Sequence, residues 1–438
     1  MADITTPQAA ERPMDPESTE TPGTSRVYRL GGRLNTYLVS LLITGTVLMA
    51  APSAFAGVLL PGKIYGFFPE DAAARDATLA QVLAISAIFT LVTQPLVGML
   101  SDRTRGRFGR RTPYLLIGGI AGLAFTFGLQ TANTVVTVTV FWVLVQICLN
   151  IIQGPLQTTV ADRVPLDRRG IASSLIGVTA IVGGTLGAIA AGRLANAVGD
   201  VSFTIFGAVL LIALLAFVLI NPDSSSARLP KAPFSFRIFL QTFWVNPRTA
   251  PDFAWAFAAR FLMMLGYWAV QVFQFNLLLA YVQPALTFEQ VNVEIGNLGI
   301  ITMVGALIAS FVFGRLSDRL GRRKPFVIGA SIAMAVALAI PMFSPTLGGF
   351  YAWAAINGFA FGAYMAIDMA LIIDVLPDPA RFGKDLGVMN IATVLPQAIG
   401  PVLAAAIAAA FGYQALFGWA IFWVLLAIVF IIPIKKSR

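Results

Sequence analysis

Arg260 and Asp368 are ionisable side chains standing inside long apolar stretches of the chain, on the side that carries its basic loops. A charge in hydrocarbon costs at least about 2.5–3.5 kcal/mol on insertion scales, so it is usually paired or functional. Arg260 is the eighth residue of its apolar stretch, and Asp368 stands six residues before Asp374, where its own stretch ends. At about 1.5 Å of rise per residue, both lie about 10 Å from the same face. Matched depth allows an ion pair. Two readings are open: a permanent structural pair, or proton coupling, in which Asp368 accepts a proton and Arg260 sets its affinity. The chain has no histidine, so no side chain titrates near neutrality without a perturbing environment.

A second set of residues could bind a solute. Gln146, Asn150, Gln153 and Gln157 follow one another at spacings of 4, 3 and 4 and so share one helical face. Tyr267, Gln271 and Gln274 do the same at 4 and 3, with Trp268 adjacent, and Asn357, Tyr364 and Asp368 at 7 and 4. Amides both donate and accept hydrogen bonds, and Trp and Tyr stack on the apolar faces of sugars, so these stripes suit a neutral polyhydroxyl solute. The competing reading is glue between membrane helices. Asn390, Thr393 and Gln397 form a similar face on another stretch.

The third feature is a duplicated basic turn. Gly98-Met99-Leu100-Ser101-Asp102-Arg103 precedes Gly109-Arg110-Arg111-Thr112-Pro113. Half a chain later, Gly314-Arg315-Leu316-Ser317-Asp318-Arg319 precedes Gly321-Arg322-Arg323-Lys324-Pro325. Asp162 with Pro165 and Arg169 is likewise matched by Asp374 with Pro377 and Arg381. Two independent pairs at nearly equal offsets imply two copies of one unit.

The elements that hold these residues are membrane spans. Of 438 residues, 57% are hydrophobic and 12% charged, about half the charged share of a soluble domain. Twelve stretches are long enough to cross a bilayer: 37–60, 78–101, 112–131, 134–158, 170–192 and 201–221, then 253–281, 292–315, 325–343, 347–372, 385–410 and 414–434. The expected fold is therefore all-α, with twelve transmembrane helices in two six-helix pseudo-repeats, 37–221 and 253–434. Residues 1–36 read as a polar, disordered tail, 222–252 as a linker and 435–438 as a basic tail. All but four of the 30 Lys and Arg (Lys63, Arg75, Arg193 and Arg260) fall on the termini and even-to-odd loops, which places both termini in the cytoplasm. The +9 charge is thus topological and points to no nucleic acid. Phe236, Phe239, Leu240 and Phe243 allow an amphipathic helix on the membrane surface in the linker. Cys148, the single cysteine, reads as a small core residue.

These hairpins are similar to the signature of the major facilitator superfamily. The longer first copy, from Gln94-Pro95-Leu96-Val97-Gly98 through Arg107-Phe108-Gly109-Arg110-Arg111-Thr112-Pro113, resembles the glycoside–cation symporter group, and most closely its sucrose/proton branch. Gln153-Gly154-Pro155 and Ala161-Asp162 also resemble that branch. Two departures stand out. Thr90 and Gln94 replace the paired acids of sodium-coupled relatives, and Gln157 replaces an arginine of the sucrose branch. The resemblance implies that spans 1, 4, 7 and 10 line a central cavity. It also implies gating by Gly98, Asp102, Arg103, Gly109, Arg110 and Arg111, and by Gly314, Asp318, Arg319, Gly321, Arg322 and Arg323. The bland reading of those charges is topology alone.

The resulting expectation is a secondary transporter of the plasma membrane, not an enzyme, working as a monomer by alternating access. It would move a neutral sugar or glycoside with protons and need no cofactor beyond the proton gradient. Rival expectations are a drug or metabolite exporter, and a transporter-like sensor or scaffold. No Walker loop, metal-ligand cluster or catalytic triad is discernible.

Overall fold

A computed structural model describes residues 32–165, 169–223, 225–226, 250–320, 322–375 and 382–434. Among these described residues, twelve helices have the length and composition to cross a membrane. The first six are α1 (Arg33–Phe67), α2 (Ala72–Arg103), α3 (Thr112–Thr131), α4 (Val135–Arg163), α5 (Arg169–Val198) and α6 (Val201–Ile220). The second six are α7 (Pro251–Val272), α8 (Phe288–Leu320), α9 (Lys324–Phe343), α10 (Leu347–Val375), α11 (Phe382–Phe411) and α12 (Tyr413–Ile431). Helix starts follow local chemistry. Asp71 caps α2 through the Ala74 amide, Thr134 and Thr137 form a capping box on α4, and Pro stands in the first turn of α3, α7 and α9. Most of the linker, including Phe236, Phe239, Leu240 and Phe243, lies outside the described residues, as do both tails.

Within each half, small residues let helix backbones touch, the packing mode that works where lipid supplies no hydrophobic drive. Gly183 and Gly187 of α5 lie against α1, and Gly358 and Gly362 of α10 lie against α8, so closely that a methyl group would overlap a facing carbonyl. Between halves, α5 packs on α8 and α2 on α11.

Two helices are interrupted. α1 widens to a π turn over Phe55–Leu59. α7 stops at Val272, and Phe273 (ψ 7°) bends the chain before a short helix, Gln274–Ala280. The single apolar stretch 253–281 is therefore two helices, a correction hydrophobicity could not supply because Phe273 is itself fully buried. Phe273 follows Gly57, the middle of the π turn, by the same offset that separates Gly98 from Gly314. Interrupted helices at equivalent points of two repeats are a recurrent mark of substrate sites in transporters.

The halves meet closely at one end. At the end away from the basic hairpins, a Cβ on Gly192 would overlap the Asn292 carbonyl, and one on Gly296 would lie 3.1 Å from Ile189 Cα. Thr185 donates to the Gly299 carbonyl (3.4 Å) and Asn292 to Asn196 Oδ1 (2.7 Å). Asn196 donates to the Glu289 carbonyl (3.1 Å), and Asp76 accepts from Asn276 and Tyr413, again across the halves at this far end. At the hairpin end, Gly98 and Gly314 face open space. Among the described residues, the contacts between halves close the molecule at the far end.

Candidate functional site

The membrane-buried charges meet. Arg260 Nη1 donates to Asp368 Oδ2 at 2.7 Å, and Arg260 Nε donates to Thr393 Oγ1 at 2.8 Å. The Tyr364 hydroxyl, one helical turn before Asp368, also bonds to its carboxylate. Asp368 is 3% exposed, and three helices of one half (α7, α10 and α11) hold the cluster. Thr393 was legible only as part of a polar face on α11; its contact with Arg260 gives that face a use.

One to three turns along α7 lies an aromatic and amide group. Tyr267 stacks on Phe361 of α10 with centroids 4.1 Å apart and planes at 8°, while Trp268 meets Tyr267 edge-on. Gln271 Nε2 donates to the Tyr267 hydroxyl at 3.0 Å. Two buried polar atoms here have no partner: the Trp268 Nε1 donor and the Gln271 Oε1 acceptor. Buried polar atoms are normally hydrogen-bonded, so an unmatched donor and acceptor three residues apart on one face are open to a ligand. Gln274 is half-buried just past the break at Phe273, and Asn357 is buried in α10.

The α4 stripe divides. Asn150 is buried and donates to Thr90 of α2 (3.3 Å) and to the Gln146 carbonyl (2.7 Å), so its amide ties helices together as the glue reading holds. Gln146 and Gln153 are half-buried and Gln157 is exposed, and none bonds to the α7 or α10 group among the described residues.

The first hairpin is a dense charge network within its own half. Arg111 pairs with Asp102 (2.7 Å) and with Asp162 (3.0 Å), and Arg110 also pairs with Asp162. The amides at the start of α3 take their carboxylate from beyond the hairpin: Asp223 Oδ2 accepts from the Arg110 and Arg111 N–H groups at 3.1 and 3.2 Å. Asp102 therefore serves a guanidinium, not the helix terminus, because Asp223 already occupies the pocket beside Gly109. Gly109 has φ 79°, and a Cβ there would overlap that carboxylate; glycine alone takes this conformation without steric cost. Arg163 joins Asp223 at 3.4 Å. Arg103 is half-buried beside them. Asp162 belongs to the second repeated mark, with Pro165 and Arg169, whereas Asp223, just past the end of α6, lies in no motif of the sequence.

In the second hairpin, Arg319 and Arg322 are exposed and Arg323 is half-buried, while Gly321 and the Asp318 side chain lie outside the described residues. Lys324 donates to the carbonyls of Ile432 and Ile434 at 2.6 and 2.7 Å, which anchors the end of α12. Among the described residues no group of His, Cys, Asp and Glu could hold a metal ion.

The sequence profile of the Major Facilitator Superfamily matches residues 36–289 and 271–438, and the two matches together take in nearly the whole chain. A bacterial homologue of the human lysosomal transporter Spinster, solved in an inward-facing and occupied conformation, superposes with a TM-score of 0.72 at 15% identity, over 94% of this chain and 98% of that one. A nucleoside transporter superposes with a TM-score of 0.71 at 13% identity, over 91% and 100%. Similarity to curated relatives is partial. An uncharacterized symporter of Synechocystis is 46% identical over 15% of this chain and 12% of its own length. A sucrose transport protein of Arabidopsis thaliana is 30% identical over 22% and 20%. A fujikurins efflux protein of Gibberella fujikuroi is 24% identical over 73% and 65%. The chain thus spans less than two thirds of the length of each of these relatives. Twelve apolar helices, the shared fold and the matched profile make this an integral membrane transporter that belongs to the Major Facilitator Superfamily.

Proposed function

We propose that the chain is a secondary active transporter that carries a neutral sugar or glycoside together with protons by alternating access. The observation that carries the reading is the α7 face. Trp268 Nε1 and Gln271 Oε1 offer an unmatched donor and acceptor beside the Tyr267–Phe361 stack, while the one buried carboxylate near them is held by Arg260. An uncharged, aromatic, amide-bearing surface recognises hydroxyls and the apolar face of a sugar ring. Asp368 supplies the coupling group: protonation would release Arg260 to Thr393 and solvent, and deprotonation would restore the pair. Partial similarity to a sucrose transport protein and to a symporter supports this branch. By the distribution of basic residues, the hairpin end and both termini face the cytoplasm and the far end faces outward, in the plasma membrane. The hairpins act as the cytoplasmic gate, with the Arg111–Asp102 and Arg111–Asp162 pairs of the first copy as its charged part.

Counterflow of labelled sugars in proteoliposomes, screened over a panel of neutral mono- and disaccharides, tests the cargo. Exchange of at least one of them supports the reading. An efflux role is the second reading, favoured by the longer alignment with a fujikurins efflux protein. Failure of every sugar with exchange of a dye or antibiotic would establish that alternative.

A further inference from the structure

Asp76 is a nearly fully buried carboxylate with no part in the site just described. It stands in the first turns of α2 at the far end and is 4% exposed. Its two oxygens are taken by the opposite half: Asn276 Nδ2 donates to Oδ1, and the Tyr413 hydroxyl donates to Oδ2 at 2.7 Å. Asn276 belongs to the short helix beyond the α7 break, and Tyr413 opens α12. Thus one acid of the first half is gripped from two separate elements of the second. The neighbouring Arg75 turns away. Its Nη1 donates to the Pro69 carbonyl at 2.9 Å, and its guanidinium lies 5.2 Å from the centre of the Tyr65 ring. Tyr65 in turn stacks on Phe288 of the second half at 5.0 Å, over Gly62.

A buried carboxylate stripped of both donors must be rehydrated, and hydrogen bonds to a charged acceptor are about twice as strong as neutral ones. Separating the halves at the far end breaks both bonds at once and admits water to Asp76. Closing them expels that water and restores the bonds. The Asn196–Glu289 and Thr185–Gly299 contacts, where α5 meets α8, end on backbone carbonyls and carry no charge.

We propose that Asp76 is the positioning residue that latches the far end of the transporter shut, with Asn276 and Tyr413 as its catch. The proposal rests on the alternating-access reading but needs neither the sugar nor the proton assignment. Spin labels on Val136→Cys (start of α4) and Phe343→Cys (end of α9), in a Cys148→Ser background in lipid nanodiscs, report far-end separation across the halves. The unsubstituted latch is expected to give mainly the short distance. Asp76→Ala, Asn276→Ala and Tyr413→Phe are each expected to shift the ratio of long to short distances upward, roughly tenfold for the loss of one charge-assisted bond. The Asp76→Ala/Tyr413→Phe double variant should shift it no further than Asp76→Ala alone. If Asp76→Ala fails to fold, Tyr413→Phe and Asn276→Ala still test the latch, since they leave the carboxylate and the start of α2 in place. Distance distributions identical to the parent in the folded variants would overturn the proposal. Absence of sugar exchange with these shifts intact would overturn the cargo reading only.

Discussion

Arg260 and Asp368 lie 108 residues apart in sequence and 2.7 Å apart in space, within the membrane-spanning part of a single half. The pair does not bridge the halves, so rigid rocking of one half against the other leaves it intact. Only protonation, hydration or a ligand can open it. That property separates a coupling group from a gate, and it distinguishes this pair from Asp76, whose Asn276 and Tyr413 donors both lie across the divide.

Removing one member of the pair leaves an unpaired buried charge. Arg260→Leu is expected to lower stability by roughly 3–5 kcal/mol, whereas the double change Arg260→Leu/Asp368→Leu should recover most of the loss. Thermal unfolding in detergent checks this: equal destabilisation by the single and double variants would mean the pair is not electrostatically coupled.

Trp268 and Gln271 are expected to contribute to affinity more than to stability, because their free polar atoms have no partner to lose. Trp268→Phe, which removes the unpartnered Nε1 and leaves the Gln271–Tyr267 bond in place, should weaken binding of the transported solute by about 1–3 kcal/mol, a factor of roughly 5–150, with little change in unfolding temperature. Asn150→Ala should do the reverse, because its amide is engaged with Thr90 and the Gln146 carbonyl. Binding titration beside thermal unfolding separates the two.

Gly192 meets the Asn292 backbone where the halves are tightest, while Gly98 faces open space. Gly192→Ala should disfavour the far-end-closed state, seen as a longer far-end distance and slowed transport. Gly98→Ala should leave that state untouched. Equal behaviour of the two variants would deny the asymmetry.

Gly109 combines positive φ with contact against Asp223, so Gly109→Ala should be costly, and Asp223→Ala should remove the acceptor of two amides and one partner of Arg163. A loss of about 1–3 kcal/mol is expected for each, read by thermal unfolding. The double variant should be less than additive, since both act on one pocket.

The twelve helices, the duplication and the Arg260–Asp368 pair were legible because each rests on a one-dimensional signal: apolar length, repeated motif and matched depth. Helix ends ran beyond the apolar stretches, since Ala72–Asp76 and Phe288–Val291 are helical yet polar enough to escape a hydropathy window. The break at Phe273 carries no Gly or Pro at the bend itself and depends on packing, whereas the π turn at Phe55–Leu59 holds Gly57 and is flanked by Pro52 and Pro61, signals that do not by themselves specify a π turn. Asp223 and Asp76 were missed for a related reason. Each is an isolated acid in sequence, and only folding brings its partners, 112 and 337 residues away, to its side. The α4 amides show the opposite limit. Their shared face was readable, but whether an amide meets a neighbour or a cavity depends on rotation about the helix axis, and Asn150 meets Thr90.

Proton coupling through Asp368 is tested most directly by uphill uptake of an exchanged sugar into proteoliposomes under an imposed pH gradient, compared for the parent and Asp368→Asn. The parent is expected to accumulate sugar and to lose that accumulation when a protonophore collapses the gradient, while Asp368→Asn retains counterflow but accumulates none. Undiminished, pH-driven accumulation by Asp368→Asn would overturn the coupling role.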